Sequence, residues 1–316
     1  MQILIQTILQ TQIDISVIIP AYNAEKYIQT AVMSVISQSL ESKEIIVVND
    51  GSTDSTRDIL VEMQKTYTQL AVYHMEENKG LFYVRQYGVN KSNGEYLLHL
   101  DADDSLRHDN VLRDLLNFTA EKPDVLHFHH QAVQYYPDNT SKEINWWGNG
   151  QVESADSSNM LSHLVYAKIH WLIHGKLVKR SVFVEALGLI NDTRHLIYGE
   201  DEIQCIAIFS IAKSYKGIPY VGYNFNHRED SVTGQRTRSL KTLLKVIEDY
   251  FATRDLVQKF LPTYLFDLRN RVTKDYNKNL EALARFNDSS IAEVCQKYKA
   301  RGIETFSYCL DIKVSE

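Results

Sequence analysis

The sequence predicts an α/β protein: a mostly parallel, doubly wound sheet followed by a helical C-terminal extension. Three observations predict it. Short β-branched runs alternate with segments of helical spacing as far as Leu100, the pattern of a parallel sheet wrapped by helices. Polar residues gather immediately after those runs, where such sheets collect ligands. Beyond Arg238 glycine is absent until Gly302, and apolar residues recur at helical spacing. At 316 residues the chain suits one nucleotide-binding domain with a smaller appendage. The expected division is an N-terminal extension over 1–14, an α/β domain over 15–234 and a helical region over 235–316.

Taken in order, Ile15–Pro20 (ISVIIP) is a short buried strand. Ala24–Ser37 is a helix, with apolar pairs at Tyr27/Ile28, Ala31/Val32 and Val35/Ile36 on one face. Glu44–Val48 is the second strand; Ser52, Thr53 and Asp54 offer N-cap chemistry to the helix that follows. Leu70–His74 is a weaker strand, Gly80–Lys91 a helix, and Tyr96–Leu100 a fourth strand ending at Asp101. HFHHQAVQYY reads as a strand and PDNTSKEINWWGNGQ as a long loop. Helices are expected at Ser157–Ala167, Lys179–Ala186 and Asp201–Ala212, and a strand at Ile218–Phe225.

Composition excludes several classes. Hydrophobic residues make up 44%, enough for a core and too many for a disordered chain. The net charge of −6 speaks against a nucleic-acid partner, which calls for a basic stripe. Cys205, Cys295 and Cys309 are few and widely spaced, so neither a disulfide framework nor a zinc site is expected and a reducing, cytoplasmic setting fits. The first residues lack the basic region and cleavage site of a signal peptide. No apolar run is long enough to span a bilayer.

Asp101-Ala102-Asp103, directly after a buried strand, is the strongest chemical signal. Carboxylates alone repel a nucleotide diphosphate. A divalent cation between them and the phosphates resolves the conflict, and Mg²⁺ or Mn²⁺ takes such oxygen ligands. The plainer reading is an N-cap cluster, with Asp103, Asp104 and Ser105 ahead of a helix. Asn49-Asp50-Gly51-Ser52 offers an acidic acceptor and a tight turn at the end of the second strand. Pro20-Ala21-Tyr22-Asn23 fills the first strand–helix turn, where a dinucleotide enzyme has glycines; a nicotinamide-cofactor site is therefore excluded.

These segments together resemble family 2 of the glycosyltransferases, with the GT-A fold. The matching text is SVIIPAYNAEKYIQTAVMSVISQSLESKEIIVVNDGSTDST, then NKGLFYVRQYGVNKSNGEYLLHLDADDSL, and more weakly Gly199-Glu200-Asp201 and YNFNHREDSVT. The resemblance implies inverting transfer from a nucleotide-sugar donor, usually UDP-linked, to a hydroxyl of a glycan, lipid-linked or protein-linked acceptor, with Mn²⁺ or Mg²⁺. It implies that Pro20, Ala21, Tyr22 and Asn23 line the base and ribose, that Asp50 accepts a hydrogen bond from the base, and that Gly80, Arg85 and Ala102 face the nucleotide. Gln86 stands where relatives have Asn. Asp101 would contact ribose or metal, Asp103 the metal, and His227 or Arg228 the metal or diphosphate. Asp201 would be the catalytic base and Glu200 its acceptor-positioning neighbour.

Other features read more plainly. His127, His129 and His130 lack acidic partners at ligand spacing and read as strand histidines. Trp146-Trp147 either stack on an acceptor sugar or close the core. The basic excess after Arg238 fits a solvated helix face, with self-association or peripheral membrane contact as the sharper alternatives. Two rival functions remain: a sugar-nucleotide pyrophosphorylase, disfavoured because PAYNAEKY has no glycine to cradle a triphosphate, and a non-catalytic nucleotide-sugar-binding module, disfavoured by the four acidic residues Asp101, Asp103, Glu200 and Asp201.

Overall fold

The computed structural model describes residues 12–136, 140–144, 152–165, 168–192, 194–228 and 239–261. Most of the 1–14 extension, Trp146-Trp147, the boundary near Gly234 and the chain beyond residue 261 lie outside them. The chain forms two compact units: one runs to Leu196 and resumes at Glu200–His227, the other joins Ile197–Gly199 to the residues from Arg228 onward.

The first unit is built on a ten-stranded sheet. Its centre is β1 (Ile15–Ala21), every residue of which is buried. β2 (Lys43–Asn49) and β3 (Leu70–His74) extend it parallel on one side, and β4 (Tyr96–His99) lies parallel on the other. The near-continuous apolar runs of β1 and β2 follow from burial on both faces. The order then continues β4-β9-β6-β10-β5. β9 (Lys176–Lys179) runs antiparallel to both β4 and β6 (Val125–Tyr135), and β10 (Ser214–His227) pairs parallel with β6. The fold is GT-A: an α/β protein on a largely parallel, mixed sheet.

Helices α1 (Ile28–Ile36), α2 (Thr56–Thr66), α3 (Leu81–Lys91) and α4 (Val111–Phe118) link the early strands. α5 (Met160–Val165), α6 (Arg180–Leu189) and α7 (Glu200–Ile211) follow. α1 starts at Ile28 and not at Ala24; the N–H groups of Ala24 and Glu25 bond the Thr56 hydroxyl (2.8 Å) and the Asp54 carboxylate (3.1 Å), and the Tyr27 N–H closes back on the Ala24 carbonyl (2.9 Å). The residues from Ala24 to Tyr27 form a turn instead.

Two readings are corrected. The supposed loop after Tyr136 contains β7 (Ser141–Ile144), which pairs antiparallel with β6; four polar-rich residues carry no periodicity of their own and become a strand only against a partner. β8 (Ser154–Asp156) is likewise a short edge piece on β10. Asp103, Asp104 and Ser105 do not cap a helix. Ser105–Leu106 is strand β5, paired with β10, and α4 begins only at Val111 with Asn110 at its N-cap.

The second unit contains α8 (Leu240–Phe260), whose Ser239 hydroxyl caps the Thr242 N–H at 3.1 Å. Within this unit Leu243, Val246, Ile247, Leu256 and Val257 are buried. The Asp249 carboxylate accepts the N–H groups of Ile197 (3.0 Å) and Tyr198 (3.2 Å) and pairs with Lys245 (2.6 Å). Among the described residues no helix is long and apolar enough to cross a membrane.

Candidate active site

The sheet order reverses direction between β1 and β4, the position at which open α/β sheets bind ligands. Parallel register brings Ala21 of β1 level with Asn49 of β2. The polar residues that follow each strand therefore share one edge.

On the β1–β2 side the two turns interlock. Pro20 and Ala21 are buried strand residues, Tyr22 is half exposed, and Asn23 takes a positive φ of 48°, a conformation Asn tolerates better than most. The Asn23 side chain accepts the Thr53 N–H at 2.8 Å, and its own N–H reaches the Ser52 hydroxyl at 2.9 Å. Asp50 is buried; its carboxylate accepts the N–H of Lys79 at 2.7 Å and of Gly80 at 2.9 Å. Burial raises its pKa, with those two bonds opposing. Gly80 turns there at φ 89°, where only glycine sits without strain. Each Asp50 oxygen keeps a lone pair after these bonds, so a base can still be read there.

The centre of the site is Arg85. It projects from α3 and is 1% exposed. One arm of its guanidinium meets Asp101 at 2.8 Å; the other meets Glu200 at 3.0 Å and also Asp201. Residues from the third, fourth and late segments of the sequence thus converge on one cation. Burial opposes the arginine's charge, but Asp201, Asp101 and Glu200 outweigh it and push its pKa up. Glu200 is forced up to about 8, by burial first and the Asp201 charge second, against Arg85. Asp201 also rises, by burial, with Arg85 opposing. Asp201 remains 19% exposed in its side chain against 8% for Glu200, so it is the more reachable of the pair.

The Asp101–Asp104 loop is tied to β10. Asp104 is enclosed, accepting the Tyr223 hydroxyl at 2.6 Å and the Asn226 N–H at 2.7 Å. The Asn226 side chain donates to the Asp103 carbonyl at 2.8 Å, and the Asp101 N–H donates to the Tyr223 hydroxyl at 3.2 Å. Asp104 is thereby a structural anchor, while Asp101, Ala102 and Asp103 stay partly exposed. His227 closes β10, its carbonyl receiving the Gln134 side chain at 3.3 Å.

Among the described residues no three His, Cys, Asp or Glu side chains form a metal cage. A Mg²⁺ or Mn²⁺ site that works on phosphates needs only one or two carboxylates, the remaining oxygens coming from phosphate and water. Asp101 and Asp103 fit that requirement: both are partly exposed oxygen donors on a loop held from behind. Asp104, with both oxygens engaged, does not. His127 bonds the Tyr215 hydroxyl at 2.7 Å inside the sheet, as a strand histidine should.

The model of the family "Glycosyl transferase family 2" matches residues 16–181, more than half of the chain. The chain belongs to that family. Over 276 residues this glycosyltransferase-family chain is 26% identical to EpsH of Bacillus subtilis (strain 168), covering 87% of this chain and 75% of that one. It is 28% identical over 228 residues to the minor teichoic acid biosynthesis protein GgaB of the same organism, covering 71% of this chain but 24% of GgaB. With TuaG of that organism the identity is 41% over 101 residues, 32% of this chain and 40% of TuaG. This family 2 chain therefore spans less than half of two of these relatives. Among solved structures, S. aureus TarS 1-349 in complex with UDP-GlcNAc superposes with a TM-score of 0.59 at 20% identity, covering 92% of this chain and 88% of that one. The mannosyltransferase PcManGT from Pyrobaculum calidifontis, in complex with GDP-Man and Mn²⁺, gives 0.53 at 16% identity, covering 95% and 83%. Both share the fold.

Sequence reasoning missed Tyr223, Asn226 and His174. The first two lie inside the YNFNHREDSVT block, in which only His227 and Arg228 carried an expectation. His174, discussed below, sits in no motif.

Proposed function

We propose that this family 2 chain is an inverting glycosyltransferase that moves a sugar from a nucleotide-sugar donor, UDP-linked, to a hydroxyl on a glycan, lipid-linked or protein-linked acceptor. The observation that carries the reading is the Arg85 hub: one buried guanidinium joins the donor-side Asp101 to the acceptor-side Glu200 and Asp201. Fixing those carboxylates to one point sets the geometry in which donor and acceptor meet, and placement supplies much of such a barrier reduction. The names of the relatives, and the UDP-GlcNAc bound to TarS, support the donor class.

In this proposal Pro20, Ala21, Tyr22 and Asn23 seat the base and ribose, with Asp50, Gly80 and Ala102 beside them. Asp103 and Asp101, with His227, hold Mn²⁺ or Mg²⁺. When bound, the cation supplies positive charge to the departing diphosphate. Asp201 takes the proton of the acceptor hydroxyl as it attacks the anomeric carbon from the face opposite the diphosphate. Glu200, more enclosed and more reluctant to ionise, hydrogen-bonds the acceptor. Action on the cytoplasmic side, with the C-terminal helical region mediating self-association or peripheral membrane contact, belongs to the same proposal.

A thermal-shift panel of UDP- and GDP-sugars with and without Mn²⁺ tests it, since binding to the folded state alone raises the midpoint. A UDP-sugar that stabilises only with Mn²⁺ and is slowly hydrolysed without acceptor is the expected result. Binding with no hydrolysis and no transfer to any hydroxyl acceptor would make the chain a binding module.

A further inference from the structure

His174 precedes β9 in a loop that the structure fixes tightly. Gly175 holds a φ of 73°, and its carbonyl accepts the Phe128 N–H at 2.8 Å. The buried Lys176 ammonium donates to the Leu172 carbonyl at 2.5 Å, and the Cys205 thiol to the Trp171 carbonyl at 2.7 Å. The His174 ring stacks on Tyr223, with centroids 4.8 Å apart and planes 15° from parallel, and on Phe225 at 5.5 Å and 20°.

The residue is 3% exposed. Neither ring nitrogen has a hydrogen-bond partner among the described residues. Burying such groups unpartnered is unfavourable. Nδ1 faces Oδ2 of Asp101 at 3.9 Å, while Oδ1 of the same carboxylate is held by Arg85 at 2.8 Å. A hydrogen bond needs about 3 Å. Closing the gap takes a movement of roughly 1 Å, within the swing of one carboxylate.

We propose that His174 is a positioning residue for the donor side of the site, engaging the second oxygen of Asp101 while Arg85 holds the first. Two fixed donors, one per oxygen, allow the carboxylate a single plane. The lone pairs that remain then point to one place, where a ribose hydroxyl or a cation can be met. Tyr223 couples the two partners, because its ring supports His174 and its hydroxyl receives the Asp101 N–H. The inference rests on the reading that Asp101 contacts the donor.

The test is calorimetric affinity for UDP with Mg²⁺ in wild type, His174→Phe, Asp101→Asn and the double variant, with urea unfolding run alongside. Phenylalanine keeps the stack on Tyr223 and removes both nitrogens. Orienting partners of this kind are worth about tenfold or more in affinity, so His174→Phe should weaken binding roughly tenfold. In the Asp101→Asn background the same change should cost less than about twofold, since only coupled residues are non-additive. Wild-type affinity in His174→Phe, or full additivity, overturns the role of His174 while leaving Asp101 in place. Unchanged affinity in Asp101→Asn overturns the donor-side reading itself. Should His174→Phe fail to fold, the wild-type protein decides: the His174 Nδ1 proton resonance should move downfield when UDP and Mg²⁺ are added, and an unmoved signal refutes the contact.

Discussion

Replacing Arg85 tests the architecture of the site more directly than any other change. Arg85→Met removes the one cation among the described residues that contacts Asp101, Glu200 and Asp201 together. Breaking a buried ion pair by deleting one partner costs about 3–5 kcal/mol, because the other charge is stranded. Asp101 is 27% exposed and Asp201 19%, so water screens part of the loss and the lower end, about 3 kcal/mol, is expected. Arg85→Lys keeps the charge but not the fork. An ammonium cannot face Asp101 and the Glu200–Asp201 pair at once, so at least one charged hydrogen bond goes, about 1.5–3 kcal/mol. Urea unfolding at neutral pH reads both values. The pH dependence discriminates further. Glu200 and Asp201 already sit above their ordinary pKa values, and removing Arg85 raises them more. A carboxyl group with a raised folded-state pKa is favoured protonated, so its contribution is full at low pH and is lost as pH climbs toward about 8. Wild-type Glu200 ionises only near pH 8, so the deficit of Arg85→Met should be larger above about pH 8 than below it. A deficit near zero, or one that does not change with pH, would refute the hub.

Four further outcomes are expected. Asp201→Asn keeps shape but cannot take a proton, so transfer should drop about a hundredfold or more with donor affinity nearly unchanged; equal losses in both would indicate a donor-site role. Glu200→Gln removes the group that ionises near pH 8, so any inflection of the transfer rate near that pH should disappear, and a pH–rate profile that keeps the inflection would count against coupling of the pair. Asp103→Ala should abolish the Mn²⁺-dependent thermal shift by UDP, and chelation of wild type should mimic it; full activity in excess EDTA would remove the metal from the proposal. Asp104→Ala, by contrast, should cost about 1–3 kcal/mol in urea unfolding, because it strands the Tyr223 hydroxyl and the Asn226 N–H.

The early half of the fold was legible because its strands are buried on both faces and declare themselves as β-branched runs: Leu70–His74 coincides with β3, and Ile15–Pro20 differs from β1 by one residue. The late half was not. β9 is KLVK, a strand flanked by lysines, and nothing in four residues says that Lys176 will be buried against a carbonyl. The same limit hid the meaning of the site residues. Asp103 and Asp104 are identical in the sequence, and their separation into an accessible ligand and an enclosed anchor is decided by β10, which arrives more than a hundred residues later. Arg85, Asp101 and Asp201 were each legible as candidates through the family resemblance. Their common contact was not, since no local pattern records which face of α3 meets the start of α7.

That common contact also bears on why the proposed chemistry calls for a cation. Arg85 brings one positive charge to three carboxylates. The raised pKa of Glu200, about 8, lets it keep a proton at neutral pH, which leaves the cluster close to one negative charge in excess. A nucleoside diphosphate adds at least two more. At short range and partial burial such repulsion is worth several kcal/mol, more than interlocking turns at Asn23 and Asp50 can offset with neutral hydrogen bonds. In the proposed reaction Asp103 and Asp101 would hold a divalent ion, whose positive charge would offset that repulsion. Asp201, on the other arm of Arg85, keeps its carboxylate paired to the guanidinium. In the proposal the hub thus separates two jobs: Asp101 and Asp103 would accept a cation, Asp201 would accept a proton, and Arg85 joins the two groups.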